Sequence, residues 1–238
     1  MKKAIFLFDY TGIMAKPWAD AGYLCYCFDG QHPTGVNFTE HENILTVGMW
    51  FNNEVTGDLS FDDVDKIHGI CGDDVSFVFG FPECTDLAVS GAAHFARKRD
   101  NNPYFQDEAM TLVRLVEFVG DRYGCPWALE NPVSVISTKW RKPNYKFHPF
   151  EYGGYLPEND VHPTYPKYIK PRDSYPKKTC IWAGGGFLMP EKNPVSVDAG
   201  YSDQHKKLGG KSLKTKNIRS ATPRGFAQAV FESNGNSA

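Results

Sequence analysis

The sequence is poor in the features that would set it outside the ordinary globular class. No stretch of its 238 residues approaches the roughly 18 to 20 apolar residues a membrane span needs, so no membrane partner is expected. Met1-Lys2-Lys3 leads into apolar residues only as far as Phe8, too short a run for a secretory signal, and a cytoplasmic location is expected. The six cysteines (Cys25, Cys27, Cys71, Cys84, Cys125, Cys180) form no C-x-x-C pair and lack the density of a disulfide scaffold, which reads them as thiols. There is no internal repeat and no G-x-G-x-x-G phosphate cradle. At 41% hydrophobic residues the chain can still bury one sizeable core, and a single domain over residues 1–238 is the expectation.

What is present is charge sorted along the chain. The formal net charge of -2 conceals 9 Lys+Arg against 20 Asp+Glu over residues 1–138, and 17 against 7 over residues 139–224. Trp140, Tyr145, Phe147, Tyr165, Tyr168 and Tyr175 are interleaved with the basic charge, a mixture that suits a polyanion offering rings to stack on. The alternative is a basic face that docks on the acidic half.

The first 130 residues alternate strand-like and helix-like pieces. Ala4-Ile5-Phe6-Leu7-Phe8 reads as a buried strand ending at Asp9 and a turn at Gly12. Residues 15–21 suit a short helix closed by Gly22, and Tyr23 to Phe28 a second strand ending at Asp29. Val75 to Phe79 reads as a strand running into Gly80-Phe81-Pro82. Residues 107–123 place Ala109, Leu112, Val113, Val116 and Val119 on one helical face, with Asp107 and Glu108 in the first turn. Trp127-Ala128-Leu129 is a short strand ending at Glu130-Asn131-Pro132. This alternation predicts an α/β fold with a mostly parallel sheet and helices on both faces. Prolines then interrupt residues 139–176, an ordered, loop-rich basic excursion. Thr179 to Trp182 returns to the sheet, Gly184-Gly185-Gly186 is a turn, and residues 191–218 form a second basic excursion. Thr222 is placed to cap a last helix with Pro223 in its first turn and Phe226, Ala229 and Val230 facing the core.

In an open parallel sheet, ligands bind beyond the carboxyl ends of the strands, and here those ends carry Asp9, Asp29, Pro82-Glu83-Cys84 and Glu130-Asn131. Asp29 lies 17 residues after Gly12, near the interval at which an acid meets a ribose hydroxyl in nucleotide-binding units. Taken alone, Gly12 also reads as a simple turn glycine. Cys84 follows a strand in a loop, whereas Cys25, Cys27 and Cys180 sit inside apolar runs where a thiol is inert packing. Glu130 reads two ways, as a surface acid or as a carboxyl aimed at a heterocycle nitrogen. His148, Asp160 and His162 match no zinc spacing.

Together these residues resemble the DNA cytosine-5 methyltransferase family, most closely its short phage-borne, DNA-methylase-like members. Phe8-Asp9-Tyr10-Thr11-Gly12 through Asp29 is similar to the family's S-adenosylmethionine motif and ribose acid, and Phe81-Pro82-Glu83-Cys84-Thr85 through Ser90-Gly91 to its Pro-x-Cys nucleophile loop. Ala128-Leu129-Glu130-Asn131-Pro132 is similar to its Glu-Asn-Val motif. Tyr175-Pro176-Lys177-Lys178-Thr179 resembles the segment before its late strand, and Arg219-Ser220-Ala221-Thr222-Pro223 its closing helix.

The resemblance implies a Rossmann-like methyltransferase sheet, S-adenosylmethionine as cofactor and DNA as partner. By the same resemblance Cys84 is the nucleophile that adds at cytosine C6 and Glu130 holds N3 and the exocyclic amine. Asp29 would fix the adenosyl ribose, and Phe8, Asp9, Tyr10, Thr11, Gly12 and Pro82 the rest of the cofactor. Asn131, Ser90, Lys177, Lys178 and Arg219 would contact the substrate. The chain departs from the pattern at Met14, where a glycine is usual, at Glu83, where a proline is usual, and at Pro132, where a valine is usual. It also has only residues 139–176 and 191–218 in which to place a target-recognition region, which implies little sequence specificity. Two other readings stay open: a non-catalytic nucleic-acid-binding protein on the same fold, and an enzyme modifying free cytosine nucleotides.

Overall fold

The computed structural model describes residues 1–54, 62–197, 202–209 and 212–235. The apolar runs become strands: β1 (Lys3–Leu7), β2 (Leu24–Phe28), β3 (Gly35–Phe38), β4 (Ile44–Gly48), β5 (Val75–Gly80), β6 (Trp127–Pro132), β7 (Tyr145–Phe147) and β8 (Thr179–Gly184). The helices are α1 (Lys16–Asp20), α2 (Asp62–Cys71), α3 (Phe95–Asn101), α4 (Phe105–Tyr123), α5 (Ile136–Lys139), α6 (Asp203–Lys207), α7 (Leu213–Ser220) and α8 (Arg224–Asn234). The strands form one sheet in the order β3-β4-β2-β1-β5-β6-β8-β7. The five from β4 to β6 are parallel, while β3 against β4 and β8 against β6 are antiparallel. The fold is therefore α/β with a mostly parallel, mixed sheet, and no described helix is long and apolar enough to cross a membrane.

The chain divides into two compact units, Met1–Lys146 with Thr179–Phe187, and Phe147–Lys178 with Leu188–Ala238. In the first, Ala4, Ile5, Phe6 and Leu7 of β1 are all fully buried, as a strand covered on both faces requires. The two-residue period sorts them. Ile5 and Leu7 share one cluster with Tyr26, Phe28, Val78, Val64 and Ile67 of α2, and Val113, Val116 and Val119 of α4. Phe6 and Phe77 instead meet Trp18 of α1, whose ring stacks on Phe77 at 4.2 Å between centroids. Each large apolar side chain so buried contributes about 1.5–3 kcal/mol. Helix α4 carries Asp107 and Glu108 in its first turn and closes at Gly124, whose φ of 59° is the left-handed C-terminal conformation.

Three expectations need correction. Strand β6 does not end at Leu129. Its parallel partner β5 stops there, pairing Gly80 with Leu129, but antiparallel β8 pairs Glu130, Asn131 and Pro132 with Ile181, Cys180 and Thr179. Thr222 does not cap the last helix: α8 begins one residue later, after Pro223, and Asp173 Oδ2 accepts the Gly225 N–H at 2.9 Å. Phe226, Ala229 and Val230 are buried as expected. Finally, Phe147 and Tyr175 are not stacking surfaces. Phe147 stacks on Phe226 at 4.0 Å in the core of the second unit, and Tyr175 is buried there. The 191–218 excursion carries α6 and most of α7, so it is less loop-like than its composition suggests, and part of it lies outside the described residues.

Candidate functional site

The register of the parallel strands brings their carboxyl ends level. Leu7 pairs with both Phe28 and Gly80, and Gly80 with Leu129, so the chain leaves the sheet at one edge after β1, β2 and β5, beside Glu130 and Asn131, which continue β6 against β8. Strand order reverses between β1 and β5, and the crevice beyond such a switch point is where open α/β sheets hold ligands.

Phe8 turns the chain away from β1 with φ at 59°, a strained conformation for a bulky side chain, and packs its ring on Phe51 at 5.2 Å. Asp9 is buried. Its Oδ1 accepts from the Thr11 N–H, the Thr11 hydroxyl and the Gly12 N–H at 2.9–3.0 Å, which shapes the loop. Gly12 has φ of 65°, so the glycine is required by the turn. Asp9 Oδ2 is buried with no hydrogen-bond partner among the described residues. Burial raises the Asp9 carboxyl above its ordinary range, against the three donors that lower it. Tyr10 is exposed and stacks on His32, whose Nε2 lies 3.2 Å from the Asp9 carbonyl.

Asp29 is half-buried at the end of β2, and its Oδ1 accepts the Gln31 N–H at 2.8 Å. Burial raises its pKa, the Gln31 N–H and His32 lower it, and Glu83 raises it. The charge on Glu83 thus reaches Asp29 across the edge. Trp50, just past β4, lies against Gly30, where a Cβ would fall 2.4 Å from the ring, and the indole is 81% exposed. The ring of Trp50 thus keeps most of its surface in solvent, one residue along from Asp29 at its contact with Gly30.

The loop after β5 buries Pro82 and exposes Glu83, Cys84 and Thr85, with Glu83 Oε1 accepting from the Thr85 hydroxyl at 2.6 Å. The Cys84 carbonyl accepts from Leu87 and Ala88, and Lys98 of α3 holds the Thr85 carbonyl and the Asp86 carboxylate. This loop is tied to the end of β6. Asn131 Nδ2 donates to the Pro82 carbonyl at 2.9 Å in a buried contact, Val89 N donates to Val133 O, and Val135 N to Leu87 O. Glu130 is half-buried. Ser90 is exposed in a 3-10 turn over Val89–His94.

Of the residues singled out from sequence, Phe8 to Gly12, Asp29, Pro82, Cys84, Ser90, Glu130 and Asn131 all belong to the first unit. Lys177, Lys178 and Arg219 belong to the second. There Lys177 Nζ donates to the Arg219 carbonyl at 3.0 Å, covering the last turn of α7, and Arg219 donates to the Leu208 carbonyl, while Lys178 is exposed. Asp160 is committed to a bidentate pair with Arg224. Sequence reasoning missed His32 and Trp50. The signal for Trp50 was available, a tryptophan closing the alternating run Ile44–Gly48 close behind a strand end.

No protein-family model matches the chain, and no curated protein is significantly similar to it.

Proposed function

We propose that the chain is an S-adenosylmethionine-dependent methyltransferase acting on C5 of cytosine in DNA, with Cys84 as nucleophile. The observation that carries the reading is the buried Asn131 to Pro82 hydrogen bond, which ties the strand bearing Glu130 to the loop bearing Cys84 at the carboxyl edge of the sheet. The five-strand order β4-β2-β1-β5-β6 supports it, since it repeats the first five positions of the doubly wound nucleotide-binding order.

The residues at the edge fit an adenosyl ligand. Asp29 offers a half-buried carboxylate to ribose hydroxyls, Trp50 an exposed face to a purine, and Asp9 Oδ2 a buried acceptor. The cofactor supplies a methyl group on a sulfonium. Cytosine C5 is too weak a nucleophile to take it unaided, so the Cys84 thiolate adds at C6 and makes C5 enamine-like. Glu130 hydrogen-bonds N3 and the exocyclic amine, stabilising charge that builds on the ring. After transfer the C5 proton leaves to solvent, the C6–S bond breaks, and the thiolate is restored. A base inside a duplex must be flipped out for this chemistry.

The test is transfer of labelled methyl from S-adenosylmethionine to DNA. Native protein labels the DNA, and Cys84→Ala reduces transfer to background while still binding S-adenosylhomocysteine. Equal transfer by the variant removes Cys84 from the mechanism. In calorimetry Asp29→Ala weakens S-adenosylhomocysteine binding about tenfold, the order expected for one hydrogen bond to a charged group. Absence of binding by the native chain sinks the transferase reading and leaves a non-catalytic fold.

A further inference from the structure

One side chain joins two of the turns at the carboxyl edge of the sheet. His32 sits in the turn after β2, and its main chain is fixed there. Its N–H donates to the Asp29 carbonyl at 3.2 Å. On the other side the turn lies against Gly48, the last residue of β4, where a Cβ would fall 2.0 Å from the Pro33 carbonyl oxygen and 2.5 Å from that of His32. From this seat the ring reaches out of its own turn to the one after β1. A carbonyl oxygen only accepts, so His32 Nε2 carries the proton and donates to the Asp9 carbonyl at 3.2 Å, across 23 positions of sequence. Tyr10 stacks on the imidazole at 5.4 Å between centroids and 23° between planes, which fixes the orientation of the ring. The Asp9 N–H meanwhile donates to the Phe28 carbonyl at 3.1 Å, so both main-chain groups of Asp9 are held from the segment that carries Asp29. The two turns bear like charge, and the field of Asp29 reaches Asp9. Carboxyl groups so placed push the turns apart, and a ring donor between them opposes that. Asp9 Oδ1 is committed to Thr11 and Gly12, and the buried Oδ2 has no hydrogen-bond partner among the described residues.

We propose that His32 is a positioning residue of this edge: its ring braces the Asp9 turn to the Asp29 turn and sets the spacing of the two carboxyl groups that one ligand must span. The inference rests on the methyltransferase reading for the identity of that ligand, but the brace is tested without it. His32 touches no reacting atom and acts through Asp9 and its turn. Two acceptors already held at a fixed separation lose little freedom when the ligand arrives, which is how such a brace raises affinity.

The experiment uses two variants of the full chain that separate the ring from its donor. His32→Phe keeps a ring to stack on Tyr10 and removes the N–H, whereas His32→Gln gives up the ring and keeps a side-chain N–H of similar reach. Hydrogen exchange of the ligand-free protein reads the brace directly through the amides of Thr11 and Gly12, the donors to Asp9. In His32→Phe these two exchange about fivefold faster or more, the order that one hydrogen bond of ordinary strength supports, while the amides of β1 stay as protected as in the native chain. In His32→Gln most of the protection returns. Calorimetry with S-adenosylhomocysteine reads the consequence: His32→Phe weakens binding about fivefold or more, and His32→Gln restores most of it. Native exchange rates in His32→Phe overturn the brace, and so does a loss of protection that extends through β1, which would make His32 a general support of the fold. Equal losses in His32→Gln and His32→Phe overturn the Nε2 donor as its working part. The two readings fail separately. Native exchange in His32→Phe, with S-adenosylhomocysteine bound by the native chain, sinks the brace alone. The expected exchange pattern in a native chain that does not bind S-adenosylhomocysteine sinks the methyltransferase reading alone.

Discussion

Five of the six cysteines are sealed in the protein and one is not. Burial pushes the thiols of Cys71 and Cys125 up to about 12 and raises those of Cys25 and Cys27 well above the ordinary thiol range, which disfavours the thiolate in all four. Cys180 is buried as well, and Cys84 is exposed. A thiolate-seeking alkylating agent on the folded chain is therefore expected to label one site, with labelling lost in Cys84→Ala. Mass spectrometry that finds a second labelled cysteine at the same rate would refute this. In the second unit, Asp173 adopts φ of 47°, which aspartate tolerates, and buries its carboxylate against the start of α8. Burial pushes its pKa up to about 6, opposed by the Gly225 N–H and Arg224. His162 is pushed down to about 4 by burial and by Arg224, opposed by Asp160. The signs differ. Between about pH 6 and 4 the folded chain keeps a proton on Asp173 that the unfolded chain loses, so acid stabilises it there. His162 refuses a proton that the unfolded chain takes up, so acid destabilises it from about pH 6.5 to 4. Each shift of roughly two units corresponds to about 3 kcal/mol, and the two offset. Asp173→Asn keeps an acceptor for Gly225 and removes one side of the balance. Its unfolding midpoint is expected to fall with acid over that window more steeply than the native midpoint; parallel profiles would refute the offset.

At the scale of elements, the contact that matters is between the end of β6 and the loop after β5. Asn131→Leu removes the donor to the buried Pro82 carbonyl and leaves that oxygen without its partner, a loss of about 1–3 kcal/mol. Denaturant titration should show that loss, and alkylation of Cys84 should speed up as the loop loosens. An unchanged alkylation rate at lowered stability would mean that Lys98 and the Val89–Val133 and Val135–Leu87 hydrogen bonds hold the loop without Asn131. The central strands were legible because β1, β2 and β5 are covered on both faces and read as apolar runs, interrupted in β5 only by Ser76, and α4 because one face repeats over nineteen residues. The β3–β4 hairpin was not, since β3 is short and mostly exposed and carries no apolar signature. The reach of β6 through Glu130 depends on β8, a partner about fifty residues downstream, and the hold of Asp173 on α8 likewise crosses 52 positions. Local pattern carries neither. The candidate site was legible where a strand end meets a polar residue, as at Asp9, Asp29 and Cys84. It was illegible where packing decides, as for His32 against Tyr10.

At the scale of the whole molecule, the charge sorted along the sequence matches the division into two units, with the negative balance on the unit that carries the proposed cofactor edge. Asp9 and Asp29 both have raised carboxyl pKa values, chiefly through burial, and each lies in the field of other acids. Such a field distinguishes ligands by charge more than by shape. The proposed methyl donor is a sulfonium with one more positive charge than the thioether product, so on that proposal the donor would gain from these carboxylates and the product would not. The expectation is that S-adenosylmethionine binds more tightly than S-adenosylhomocysteine at low ionic strength, and that the ratio of affinities shrinks as salt shortens the screening length from about 30 Å at 0.01 M to about 8 Å at 0.15 M. Part of the preference survives at high salt, because the half-buried Asp29 is shielded from counterions. Loss of charge on transfer would then favour product release without any movement of the protein. Calorimetry of both ligands across a salt series checks this, and a ratio that stays constant would mean that the acidic edge does not face the sulfonium.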